Sequence, residues 1–281
     1  MPRLALTCLM MLAASAAATW AQADCGGGDA PCAVADGEYF AALPDEPAGA
    51  PAVVFLYGYG GTGERTMENE RFLARFTGRG YAAIVPQAIS WQPGEPSSWG
   101  FRVGDYPNPR DDVAFIAAVI DDAAERFGLD RSRVLVTGFS IGGSMTWDIA
   151  CLAPETAAAY APIAGGFWDP LPDSCAAPVH LLHTHGFTDP VVPLEGRPIG
   201  DGDFQAQQGD IYAGLAIWRR TMGCGTRADG YQIEGEVWRK SWTACDAGSL
   251  TFVLHPGEHS IPPGWADMAL DWFETVAPSA E

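Results

Sequence analysis

Arg133-Val134-Leu135-Val136-Thr137 passes without a spacer into Gly138-Phe139-Ser140-Ile141-Gly142, and the residues from Ser140 to Cys151 suit a helix. An apolar, β-branched run that ends in a tight turn and restarts as a helix leaves few folds open. In that strand–turn–helix setting, G-x-S-x-G places a serine on a sharp bend. The serine backbone must be strained there, and Gly138 and Gly142 leave room where side chains would collide. The following helix would aim backbone N–H groups and the positive end of its dipole at the bend. A glycine-rich tight turn with an N-cap serine is the bland alternative for the same residues.

The rest of the chain repeats the alternation. Pro51–Tyr57, Tyr81–Val85, Ala157–Ala164, Val179–Thr184 and Leu250–Leu254 are short apolar runs that suit strands buried on both faces. Between them lie stretches of helical character: about 64–76, 140–151, about 208–221 and 265–276. A further helix is expected from an Asn108-Pro109 cap, with Val113, Ile116, Ile120, Ala123 and Phe127 on its buried face. Strands separated by helices imply an α/β fold: a mostly parallel, twisted sheet with right-handed crossovers and helices on both faces.

A serine hydroxyl at neutral pH is a poor nucleophile until a base takes its proton. Of the five histidines, His259 falls on the loop after the last strand, in His255-Pro256-Gly257-Glu258-His259, whereas His255 lies nearer the strand end and suits a structural role. Between serine and histidine, Asp189 follows the Val179–Thr184 strand, at the sheet edge where a carboxylate can orient an imidazole. Glu195, Asp201 and Asp203 read more simply as exposed loop charge. The order Ser140, Asp189, His259 is that of the α/β-hydrolases. Negative charge on an attacked carbonyl oxygen needs two N–H donors. Ile141, next to Ser140, is one candidate, and Tyr59, in the loop Tyr57-Gly58-Tyr59-Gly60-Gly61-Thr62-Gly63, is the other. Trp91, Trp99 and Trp168 fall in loops near the same edge and are weak candidates for a substrate wall. His183 and His185 share one strand face at i and i+2, but no third ligand matches them, so hydrogen bonding or packing is expected rather than a metal.

Residues 1–23 carry Arg3, the apolar run Leu4–Leu12 and an Ala21-Gln22-Ala23 ending, the pattern of a cleaved secretory signal. Residues 24–281 then form one α/β domain, in the periplasm or outside the cell. No later stretch suits a membrane anchor. Six cysteines remain, which suits three disulfides but allows 15 pairings. Pairing of neighbours, Cys25–Cys32, Cys151–Cys175 and Cys224–Cys245, closes the most modest loops. C-x-x-C spacing for zinc is absent. The net charge is −19, and loss of Arg3 takes it to −20. Such a chain repels nucleic acid and anionic lipid, and a solubilising surface on a monomer is the simplest reading.

The stretch DDVAFIAAVIDDAAERFGLDRSRVLVTGFSIGGSM, Asp111–Met145, resembles the secreted poly(3-hydroxybutyrate) depolymerase-like and feruloyl-esterase-like esterases, as do HTHGFTDPVVP around Asp189 and PGEHSIPPGW around His259. Cys224 and Cys245 resemble that family's cysteine pair before the last strand. The chain departs from the family at Ile141, where asparagine is frequent, and at Tyr57, where histidine is. The resemblance implies an α/β-hydrolase fold and hydrolysis of carboxylic esters through acyl-Ser140, with no metal or organic cofactor. It also implies small soluble or oligomeric ester substrates, because 258 residues leave no room for a separate polymer-binding domain. A peptidase on the same fold, or an exported binding protein that has lost its chemistry, are the alternatives.

Overall fold

The structure, a computed structural model, describes residues 25–26, 30–91, 93–101, 110–200 and 206–277. The expected signal segment and the Asn108-Pro109 cap lie outside these residues, as do Asp201 and Asp203.

Six buried strands run parallel through the centre: β3 (Ala52–Leu56), β4 (Ala82–Pro86), β7 (Val134–Phe139), β8 (Ala159–Ile163), β9 (His180–Gly186) and β14 (Ser249–His255). Antiparallel strands extend both edges: β1 (Cys32–Val34) and β2 (Gly37–Ala42) beside β4, and β12 (Gly230–Glu234) and β13 (Val237–Trp242) beside β14. The ten strands form one sheet in the order β1-β2-β4-β3-β7-β8-β9-β14-β13-β12. Two small ribbons lie apart from it, β5 (Ile89–Ser90) with β6 (Ser97–Ser98), and β10 (Arg197–Ile199) with β11 (Ala206–Gln208).

The helices are α1 (Gly63–Met67), α2 (Glu70–Thr77), α3 (Asp112–Phe127), α4 (Ile141–Leu152), α5 (Ile211–Thr221) and α6 (Trp265–Val276). Two adjacent residues of β9 show which face each covers, because neighbouring strand residues point to opposite sides. His183 accepts a hydrogen bond from Trp147 of α4, and Thr184 accepts one from Trp265 of α6. α4 and α6 therefore lie on opposite faces of the sheet. α3 and α5 pack with α4, the latter through Trp147 and Trp218, while α2 packs with α6, and Arg79, just beyond α2, pairs with Asp271 and Glu274 of α6. The parallel sheet covered on both faces, inferred from the alternation of apolar runs, is the architecture observed.

Two local expectations need correction. The stretch 64–76 is two short helices, because Asn69 breaks the run and caps α2 by accepting from the Phe72 N–H. The cap of α3 is Asp111, whose side chain accepts from the Ala114 N–H, so the helix begins after Asn108-Pro109 rather than on it.

Three disulfides join Cys25 to Cys32, Cys151 to Cys175 and Cys224 to Cys245. The second ties the end of α4, which carries the strained bend at its start, to the segment leading into β9. Closing that loop of 24 residues' separation removes unfolded-chain entropy worth about 3 kcal/mol. The double variant Cys151→Ala/Cys175→Ala is expected to lower the unfolding free energy in urea by about that amount. An unchanged urea midpoint would show that the bridge contributes nothing.

Candidate active site

The bend begins where β7 ends. Ser140 has φ 59° and ψ −123°, a region L-residues rarely enter, and it is held there by its N–H donating to Ile163 O (2.9 Å) and its carbonyl accepting from Ser144 N–H (3.0 Å). The flanking glycines are there for close approach. A Cβ on Gly142 would strike the Leu56 carbonyl of β3, and one on Gly138 would strike the Gly142 carbonyl. α4 can therefore start hard against two strands, with Ser140 at the carboxyl edge of the sheet.

Asp189 lies three residues beyond β9 and His259 four beyond β14, neighbouring strands that pair along their whole length. Their loops are stitched together. Phe187 N–H donates to His255 O (2.7 Å) and Thr188 N–H to Gly257 O (3.2 Å), and Gly186 has no side chain to hold off the Glu258 carbonyl. His255 accepts from Gly257 N–H (3.1 Å) and so supports the turn that carries His259.

The result is a continuous line. His259 Nε2 lies 2.9 Å from Ser140 Oγ, and His259 Nδ1 lies 2.7 Å from Asp189 Oδ2. The other carboxylate oxygen, Oδ1, accepts from the N–H groups of Val191 and Val192, both at 2.9 Å. Burial by itself raises the Asp189 carboxyl pKa, but the His259 hydrogen bond and the two backbone donors outweigh it and hold the group below the usual carboxylate range. Asp189 is buried while His259 is 16% exposed at its side chain, so the base faces solvent and the acid does not. Phe139 lies against the imidazole, with ring centroids 4.7 Å apart.

In the glycine loop after β3, the Gly60 N–H donates to Ser97 O and the Gly61 N–H to Gly58 O, whereas the Tyr59 N–H has no partner among the described residues. Tyr59 is 65% exposed. Tyr57 is buried, and its hydroxyl accepts from Ala88 N–H (2.7 Å).

The three tryptophans separate. Trp99 is fully buried, and its indole donates to Tyr57 O (2.8 Å), so it braces the glycine loop from beneath and presents no wall to a substrate. Trp168 donates to Ser144 Oγ (3.3 Å), one turn into α4, and its ring lies 4.8 Å from Phe101. Phe101 in turn lies 6.4 Å from the half-buried Trp91. Trp91, Phe101 and Trp168 form an aromatic row beside the bend, in which Phe101 and Trp168 are buried and only Trp91 is part-exposed. Glu195, the rival acid, is exposed on its loop. His183 and His185 hydrogen-bond each other, Nε2 to Nδ1 at 3.0 Å.

Asp112 and Arg110 are missing from the sequence-based set of site residues. Asp112 is completely buried, accepts from Arg110 Nε (2.5 Å) and from Gly100 N–H (2.6 Å), and thereby pins the segment that carries Ser97 and Trp99 against the glycine loop. Its desolvation raises its pKa despite the facing guanidinium. In the sequence, Asp111-Asp112 is a pair of acidic residues at a helix start, and nothing marks the second as buried.

A model of the dienelactone hydrolase family matches residues 38–207, more than half of the chain, a range that includes Ser140 and Asp189 but ends before His259. A probable feruloyl esterase C from Aspergillus niger is 32% identical over 134 residues, covering 44% of this chain and 49% of that protein. A poly(3-hydroxyalkanoate) depolymerase C from Paucimonas lemoignei is 30% identical over 176 residues, covering 61% of this chain and 40% of the relative. The chain thus spans less than half the length of these relatives. An acetyl xylan esterase from Aspergillus awamori shares the fold, with a TM-score of 0.62 and 17% identity over 84% of this chain and 93% of that one.

Proposed function

The chain belongs to the dienelactone hydrolase family, and from that premise we propose that it is an exported serine esterase working through an acyl-Ser140 intermediate. The observation that carries this reading is the line from Ser140 Oγ through His259 to Asp189, with links of 2.9 and 2.7 Å.

Ser140 Oγ attacks the ester carbonyl carbon as its proton passes to His259 Nε2. Asp189 keeps the other imidazole proton on Nδ1 and stabilises the imidazolium that forms. The N–H groups of Ile141 and Tyr59 receive the charge on the carbonyl oxygen, an arrangement in which each donor is worth roughly 10²–10³ in turnover. His259 then protonates the leaving alcohol. Water attacks the acyl-enzyme with His259 as base, and the carboxylic acid leaves Ser140 free. Of the aromatic row only Trp91 keeps exposed surface with which to meet a flat or apolar acyl group, Phe101 and Trp168 being buried. Export rests on the leader-like residues 1–23 and on three disulfides, which persist in oxidising compartments.

Treating the purified protein with a fluorophosphonate and mapping the adduct by mass spectrometry tests the reading. The expected result is a single adduct on Ser140, with turnover of p-nitrophenyl or feruloyl esters and none of an aminoacyl anilide. An unlabelled Ser140 in folded protein would overturn the esterase assignment. Faster turnover of the anilide would move it to a peptidase.

A further inference from the structure

A hydrogen-bonded chain of three buried side chains runs from the middle of the core to the acid of the site. Trp147 of α4, His183 and His185 of β9 are all 0% exposed. Trp147 Nε1 lies 3.2 Å from His183 Nδ1, His183 Nε2 lies 3.0 Å from His185 Nδ1, and His185 Nε2 lies 2.7 Å from Val192 O. That last nitrogen is also 3.5 Å from Asp189 Oδ2.

The protons on this chain can be placed without being seen. An indole N–H only donates. His183 must therefore accept at Nδ1 and carry its proton on Nε2. That proton is donated to His185 Nδ1, so His185 carries its own proton on Nε2. Desolvation holds both histidines below the usual imidazole pKa, so both are neutral, although Asp189 and Val192 O pull His185 the other way. His255 and His259 also face His185, and both oppose a charge on it.

The opposite tautomer of His185 would aim a lone pair at Val192 O and at the Asp189 carboxylate, an arrangement of acceptors only. Trp147 excludes it from two hydrogen bonds away. With Nε2–H in place, His185 holds the carbonyl of Val192, the residue whose own N–H supports Asp189 Oδ1 at 2.9 Å. Asp189 is therefore positioned from two sides, by the Val191 and Val192 amides and by the imidazole behind them.

Resting on the esterase reading, we infer that His185 is a positioning residue for Asp189, and that Trp147 and His183 act through it by fixing its tautomer. His185 touches neither Ser140 nor substrate. It acts by keeping the carboxylate where His259 can use it, as outer groups orient the ligands of a metal.

Three measurements test this. In ¹⁵N-histidine spectra of the wild-type protein, His183 and His185 are expected as neutral Nε2–H tautomers, and His259 as the Nδ1–H tautomer. His185→Leu, which keeps an apolar body of similar size, is expected to lose about 10–100-fold in kcat with KM nearly unchanged. His185→Gln, whose amide N–H can reach Val192 O, is expected to recover most of that loss. Wild-type kcat in His185→Leu, a Gln variant no better than Leu, or an Nδ1–H or charged His185 in the wild-type spectrum would each overturn the inference. Should His185→Leu fail to fold, the wild-type spectrum and the Gln variant still decide. Fluorophosphonate labelling keeps the two readings apart. A wild-type protein that is not labelled at Ser140 removes the esterase reading. A labelled protein indifferent to His185 removes only this one.

Discussion

Ser140→Ala is expected to abolish ester turnover, by about 10⁶-fold in kcat, while leaving the protein folded. The size follows from the division of labour at the site. Without Oγ no acyl-enzyme forms, and His259 and Asp189 have no proton to move, so the three residues fail together. What remains is attack by water aided by the N–H donors, which is slow but faster than in bulk solvent. The fold survives because alanine keeps the Cβ and therefore the same backbone demands at φ 59°. The bonds holding the bend, Ser140 N–H to Ile163 O and Ser144 N–H to Ser140 O, are backbone bonds that the change does not touch. His259 Nε2 loses its partner, but the side chain is partly exposed and water can replace it. Ser140→Gly separates strain from chemistry. It is equally inactive, yet relief of a strain of roughly 1–3 kcal/mol is expected to let it unfold at a higher temperature than Ser140→Ala. Active-site titration with a fluorogenic ester and thermal unfolding of both variants supply the readings. Retained turnover in Ser140→Ala would refute the acyl-serine mechanism outright.

How far such a site can be read from sequence depends on which physics places each residue. Ser140 is legible because its strain demands glycines at fixed offsets, and the demand is written within five residues. Asp189 and His259 are legible because a parallel sheet puts the ends of β9 and β14 on one edge, so chain order stands in for position. The parallel strands are legible for a related reason: burial on both faces makes them continuous apolar runs. The β12–β13 hairpin was not. Tyr231, Ile233 and Trp238 are exposed on it, interleaved with Glu234, Arg239 and Lys240, and an edge pair of that composition carries no core signal. The hydrogen-bonding role of His183 and His185 was legible from their shared strand face, but the burial of Asp112 and the link from Trp147 to His183 were not. Those depend on which groups are buried together across 12 and 36 residues of sequence, and no local pattern reports that.

Asp189→Asn is expected to lower kcat by about 10⁴-fold, although the two side chains are nearly the same shape. The reason lies in who owns the two carboxylate oxygens. Oδ1 accepts two hydrogen bonds, from Val191 and Val192 N–H at 2.9 Å each. The oxygen of an asparagine amide must take that place, because an NH₂ there would face two donors. The NH₂ is then forced into the place of Oδ2, 2.7 Å from His259 Nδ1. An NH₂ can only donate, so Nδ1 must accept, and the imidazole proton moves to Nε2, where it faces Ser140 Oγ. The base then points a proton at the group it should deprotonate. His185 makes the arrangement worse, since its protonated Nε2 lies 3.5 Å from the same position and would meet the new donor. The loss is therefore one of tautomer rather than of charge alone, and three consequences distinguish it. KM changes little, because substrate does not touch Asp189. Raising the pH restores part of the rate, as hydroxide in solution takes over the proton transfer. The ¹⁵N spectrum of His259 switches from Nδ1–H to Nε2–H. An Asn variant that loses activity while His259 keeps its Nδ1 proton would show that Asp189 acts through its charge and not through the orientation it imposes.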